Sequence, residues 1–118
     1  MGVQKFEDLI AWQKAQELSV EVYKSFDVNK DYGFKDQIRR ASVSISNNIA
    51  EGFDRSSNAD FSRFLYFSLG SASELKSMLY LAKKLQYLNE SDFQQMLQMC
   101  NEVSKIIRGL INSLKPKT

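Results

Sequence analysis

No proline interrupts this chain before position 116. Proline breaks helices most reliably, because it lacks a backbone N–H and its ring clashes with the preceding turn. Over 115 residues, then, nothing of that kind forbids long helices. The apolar residues use this freedom. They recur at threes and fours, the spacing of one helix face, in four separate stretches. No stretch alternates with period two between turn signals, so no sheet is expected.

The organising stretch is residues 36–52, where Ile38, Ala41, Ile45, Ile49 and Gly52 draw one narrow apolar stripe. Arg40, Ser44, Asn47 and Glu51 form a polar stripe beside it, and Asn48 points close to the apolar seam. Ala41, Ser42, Ser44 and Ala50 are small enough to let a neighbouring helix approach closely. Gly52 is expected to end the helix in the left-handed cap conformation that glycine adopts without a Cβ penalty. The pattern predicts a central helix that packs on several neighbours and carries a polar strip into the contact.

Around it, the periodicity and turn signals predict helices at about 6–27, 34–51, 59–85 and 90–114. The first carries Phe6, Leu9, Trp12, Ala15, Leu18, Val22 and Phe26 on one face, with Trp12 serving either the core or a contact between subunits. Asp27–Gly33 and Gly52–Asn58 are turn-rich connections, with Ser57 or Asn58 as N-cap of the third helix. That third helix is apolar on more than one side: Phe67, Met78, Leu81 and Leu85 lie off its main stripe, and Tyr66 and Tyr80 widen it. Such a helix is central in its domain or shared between subunits. The fourth has the cleanest stripe, from Phe93 to Leu114, and Lys115–Thr118 is expected to fray. Four helices with short connections imply an all-α, antiparallel up-down-up-down four-helix bundle, a single domain over residues 1–118.

Chemistry is constrained mostly by what is missing. The chain has no histidine and one cysteine. That removes Ser-His-Asp and Cys-His catalysis, the Glu-x-x-His ligands of di-iron bundles and zinc by paired cysteines. No metal or cofactor is expected. Cys100 falls on the apolar stripe of helix four and reads as a small buried hydrophobe. Gly70 stands alone inside helix three, where close packing is the simplest explanation. Glu51, Asp54 and Glu74 are the remaining carboxylates of interest. With a turn near Asp54, Ser44 should lie beside Leu65, and Glu74 should pair with Arg39 or Arg40. Glu51 should receive backbone N–H groups around Ser57 and Asn58. The set reads as register-fixing polar contacts, so no enzyme is expected.

No apolar run approaches membrane-span length, no signal-peptide core precedes the first helix, and position 6 is Phe rather than the Ser/Thr of a myristoylation signal. With one cysteine, a cytoplasmic location is expected. Residues 1–60 carry 8 basic and 10 acidic side chains, residues 61–118 carry 8 and 4. The second half therefore offers a mildly positive surface to RNA or DNA. The candidate phosphate contacts are Arg39, Arg40, Arg63, Lys76, Lys83, Lys84, Lys105 and Arg108.

The run Gln37-Ile38-Arg39-Arg40-Ala41, with Ser44-Ile45 and Asn48-Ile49-Ala50-Glu51-Gly52, resembles the signature of the bacterial four-helix bundle proteins, also called 23S rRNA intervening-sequence proteins. Leu9–Ala15 looks like that family's opening motif, and Ser71, Ser73, Glu74 and Leu75 fit its later Glu-Leu pattern. Ser46 departs from it, standing where the family usually has proline, which leaves any kink at that point in question. The resemblance implies a four-helix bundle with no catalytic activity, similar to the homopentameric accessory protein of diversity-generating retroelements. That relative binds nucleic acid and a reverse transcriptase.

The reading is therefore a non-enzymatic homo-oligomeric scaffold, pentameric by resemblance, that binds RNA or DNA through its basic surface. The alternative is a protein-interaction adaptor for a reverse transcriptase or another neighbour-encoded protein. Ser44, Asn48, Glu51, Gly52 and Glu74 are its structural polar motif. Trp12, Phe67, Met78 and Leu81 are its candidate subunit contacts.

Overall fold

The computed structural model describes residues 2–116. A short 3-10 turn, Phe6–Asp8, precedes four helices: α1 (Ile10–Ser25), α2 (Tyr32–Phe53), α3 (Asn58–Lys84) and α4 (Glu90–Ser113). No strand occurs among the described residues. Each helix packs on two others, α1 and α3 both lying against α2 and α4, so the bundle closes as a square without diagonal contact. Its extents are 49 × 22 × 20 Å. The four-helix bundle expected from periodicity is the fold.

The stripes read from the sequence are the core. Leu18, Val22, Phe26, Ile38, Ile45, Ile49, Leu65, Leu75, Leu79 and Ile107 have no exposed surface. Each aliphatic side chain so buried stabilises the fold by roughly 1.5–3 kcal/mol before chain entropy is set against it. Side-chain caps fix three helix starts. Asp31 Oδ1 accepts from Phe34 N at 3.2 Å, Ser57 Oγ from Asp60 N at 3.1 Å and Asn89 Oδ1 from Asp92 N at 2.7 Å. The C-terminus of α3 closes differently. Gln86 adopts φ 63°, while Gln86 N donates to Lys83 O and Tyr87 N to Ala82 O, the bond pattern of a Schellman cap with glutamine in glycine's usual place.

Four expectations are corrected. The first helix does not begin at Phe6: Leu9 is extended (φ −73°, ψ 127°), which folds the 3-10 turn back so that Phe6 meets Trp12 edge-on at 5.4 Å. Gly52 is not a left-handed cap. It lies inside α2, has no positive φ, and a Cβ there would stand 2.5 Å from Phe64 Cβ. Its value is close approach of α2 to α3, not backbone freedom. Because α2 runs through Gly52 to Phe53, the turn comes later than expected and the register slides. Ser44 meets Ser71, not Leu65, with Oγ–Oγ 2.8 Å. Glu51 therefore misses the start of α3 and pairs with Arg55, just past the end of its own helix, at 3.2 Å. α2 is continuous across Ser46, whose hydroxyl donates to Val43 O (3.3 Å) and accepts from Gln16 Nε2 on α1 (2.9 Å).

Candidate functional site

The polar strip on α2 does enter a helix contact, and it does so against α3. Ser71 and Ser44 share a hydrogen bond, and Asn48 Nδ2 donates to both the backbone oxygen (2.9 Å) and the hydroxyl (3.1 Å) of Ser44. A turn away, the buried Ser68 hydroxyl donates to Ile45 O at 2.8 Å. Each such bond contributes about 1 kcal/mol net, and leaving one partner buried alone costs more, so the strip fixes the register of the two helices. Ser68 and Ser71 were not singled out as partners because a serine on an apolar face gives no sign of which carbonyl it will meet.

Toward the start of α2 the strip opens into a groove of about 600 Å³, lined by Gly33, Asp36, Gln37, Arg40, Ser44 and Glu74. Arg40 and Glu74 share this groove but form no ion pair there, which corrects the expected pairing. Arg39 is turned away to the end of α1. Its Nη2 donates to Tyr23 O at 2.7 Å, its guanidinium lies 4.4 Å from the Tyr23 ring centre, and Asp27 stands at 3.9 Å. Lys35 Nζ donates to Asp27 O at 2.8 Å beside it. Two cations thus meet the carbonyl end of α1, where the helix dipole favours positive charge.

The eight candidate phosphate contacts do not form one patch. Arg63 and Lys83 lie roughly 30 Å apart along α3, at 1.5 Å of rise per residue. Because α4 runs antiparallel, Lys105 and Arg108 lie toward Arg63's end, while Arg39, Arg40, Lys76 and Lys84 lie toward the other. Arg63 pairs with Asp60 (3.2 Å) and Lys83 with Glu90 (3.1 Å). Arg40, Lys84, Lys105 and Arg108 are exposed and make no ion pair among the described residues.

The outer face of α3 is the larger anomaly. Phe67 and Leu81 are 47% and 46% exposed, with Tyr66 and Tyr80 beside them at 56% and 45%. Met78 and Trp12, the other two candidate subunit contacts, are placed otherwise. Met78 is buried in the chain's own core and Trp12 is half-buried against Phe6. Gly70 has no neighbour within 4 Å of where a Cβ would stand, so its own chain does not account for it. Cys100 is buried, donates to Ala72 O at 3.4 Å, and burial pushes its thiol up to about 11. Among the described residues no three histidine, cysteine or acidic side chains group as a metal site would require. Among them also, no helix is long and apolar enough to cross a membrane.

The model of one family, the 23S rRNA-intervening sequence proteins, matches residues 7–109, which span the polar strip, the groove and the outer face of α3. The chain belongs to that family. No curated protein matches it. Among solved structures, this 23S rRNA-intervening sequence protein is similar to a protein of unknown function from the S23 ribosomal protein family of Bacteroides thetaiotaomicron VPI-5482. The two share 26% identity and a TM-score of 0.81, over 86% of this chain and 98% of that one. The four-helix fold is therefore common to both.

Proposed function

We propose that this 23S rRNA-intervening sequence protein is a non-enzymatic helical scaffold that associates with copies of itself through the outer face of α3. The same scaffold holds nucleic acid by its unpaired cations. The observation that carries the reading is the exposed row Tyr66, Phe67, Tyr80 and Leu81, gathered on the outer face of α3. Exposed apolar groups gathered on one face mark contact surfaces more often than chance. Two groups that could otherwise react are occupied: Glu51 is held by Arg55, and the Cys100 thiol is kept protonated by burial.

Light scattering tests the association: the expected mass is a multiple of 13.6 kDa, and a stable single subunit overturns the scaffold. Filter binding of duplex DNA and of a structured RNA at two salt concentrations tests the second part. On duplex DNA, log K should fall by roughly 0.9 per neutralised phosphate for each tenfold rise in salt. Affinity indifferent to salt, or absent at low salt, removes it.

The division of the cations between both ends, with Arg63 and Lys83 already paired, favours a second reading. In it the protein is an adaptor for a neighbour-encoded protein such as a reverse transcriptase and touches no nucleic acid. Charge reversal at Lys83, Lys84 and Arg108 separates the two. An adaptor keeps its partner, while a nucleic-acid binder loses its ligand.

A further inference from the structure

The groove between the first half of α2 and the middle of α3 gathers three charged side chains that do not pair. Asp36 and Arg40 stand four residues apart on α2, a spacing at which carboxylate and guanidinium commonly meet. Glu74 faces them from α3, because the Ser44–Ser71 hydrogen bond puts it level with Ala41. All three are exposed, and none lies within ion-pair distance of another charge among the described residues. Neighbouring opposite charges elsewhere on the surface do meet: Lys14 with Glu17, Glu51 with Arg55 and Asp60 with Arg63.

The wall of the groove adds a donor. The Ser44 oxygen accepts from Asn48 Nδ2 at 3.1 Å and from Ser71 Oγ at 2.8 Å. A hydroxyl has one proton and two lone pairs, so both lone pairs are taken and the Ser44 proton has no acceptor among the described residues. One cation and one free hydroxyl donor therefore share the groove with two carboxylates. Its volume of about 600 Å³ is that of a small-molecule site.

We infer that this groove binds a free basic amino acid, lysine being the type, through its one carboxylate and two cationic groups. Arg40 and the Ser44 hydroxyl hold the carboxylate in charge-assisted hydrogen bonds. Asp36 and Glu74, which only accept, take the two cationic groups, which only donate. The charges balance: two carboxylates against one guanidinium leave the groove at −1, and the ligand carries +1. The flexible four-carbon stem of lysine suits the roughly 6 Å of helix rise between Asp36 and Arg40. A neutral amino acid leaves one carboxylate unmatched, and a diamine leaves Arg40 unmatched. A phosphate chain has no cation for either carboxylate. None of Tyr66, Phe67, Tyr80 or Leu81 lines the groove, so the site goes beyond the scaffold reading and does not rest on it.

Titration of the full chain with L-lysine, followed by amide NMR shifts, tests the assignment. Because the groove is open to water and its contacts are screened, the expected dissociation constant is on the order of 1 mM. Saturable shifts should gather at residues 36–44 and around Glu74. Lysine amide lacks the carboxylate, leucine lacks the side-chain cation, and Nα-acetyl-lysine mimics the C-terminal lysine of a peptide. Each should bind at least about tenfold more weakly, the effect of losing one charge-assisted contact. Arg40→Gln and Glu74→Gln change exposed residues outside the core, so both should fold normally and weaken lysine by a similar factor. Glu102→Gln, on the exposed face of α4, should change nothing. Shifts that fail to saturate, equal binding of leucine or of Nα-acetyl-lysine, or binding that survives Arg40→Gln overturns the site. None of these results bears on the mass seen by light scattering, which alone decides the scaffold.

Discussion

Helices α3 and α4 lie side by side, run in opposite directions and bury similar inner stripes, but their outer faces differ. On α4, Phe93, Met96, Cys100, Val103, Ile107 and Ile111 point inward, while Gln94, Gln98, Asn101, Glu102, Lys105 and Arg108 are exposed. On α3 the inner stripe is as complete, from Phe61 to Ala82, yet aromatic and aliphatic residues also face water. Apolar residues on the inner face are required by folding. Those on the outer face of α3 stay about half exposed even where they meet the core edge-on, Phe67 against Phe64 at 5.5 Å and Tyr80 against Phe93 at 5.3 Å, so much of their surface serves no contact within the subunit. The two helices differ in how much apolar surface stays exposed once the core is packed.

The sharpest way to break this contrast is to truncate one side chain on each helix. Ile107→Ala removes a fully buried side chain and should cost about 2–5 kcal/mol in chemical denaturation. Phe67→Ala, on the outer face of α3, should change subunit stability by less than about 1 kcal/mol and lower the mass seen by light scattering. Equal losses of stability from both would erase the distinction.

The glycines sharpen it with opposite signs. Gly52→Ala drives a Cβ to 2.5 Å from Phe64 Cβ and should destabilise by about 1–3 kcal/mol through overpacking. Gly70→Ala meets nothing within 4 Å and should stabilise the subunit by about 1 kcal/mol through helix propensity. Urea midpoints moving the same way for both would place Gly70 inside the fold after all.

Between the helices, Gln86→Gly should raise the unfolding free energy by about 1 kcal/mol. It relieves a left-handed residue that a Schellman cap normally gives to glycine. No gain would mean the glutamine side chain makes up for its backbone.

The smallest effect belongs to the same connection. Tyr87 Oη donates to Asp31 Oδ2 at 2.7 Å, tying the α3–α4 turn to the start of α2. That bond, helped by the one from Phe34 N, holds the Asp31 carboxyl below its ordinary value of 3.8 and raises the Tyr87 phenol above 10.0. A depressed carboxylate stabilises the fold above its unfolded pKa, and this is lost as pH falls through the folded value. The raised phenol contributes below its unfolded pKa and loses that share as pH rises through the folded one. Tyr87→Phe should return the Asp31 titration, followed by NMR, toward 3.8. An unmoved titration would assign the shift to Phe34 N instead.

The stripe of α4, the interior of α2 and a cap at Ser57 or Asn58 were legible in sequence because each depends on residues three or four apart on one helix. The same locality explains what was not. Glu51 and Arg55 are four residues apart across the end of α2, and that near partner took Glu51 from the distant start of α3. Gly52 fits a left-handed cap by type alone, and only the position of Phe64 turns it into a point of close approach.

The sequence by itself determined four amphipathic helices, their order, their inward faces and an α3 that is apolar on more than one side. Periodicity is a property of a single chain segment and needs no partner to be read. The tertiary structure alone decided the slide of α2 against α3 that brings Ser44 to Ser71, the burial of Met78 and the separation of the basic residues toward both ends. Each of these depends on where one helix stops relative to another. The bend between Phe53 and Asn58 sets that offset through packing across the bundle.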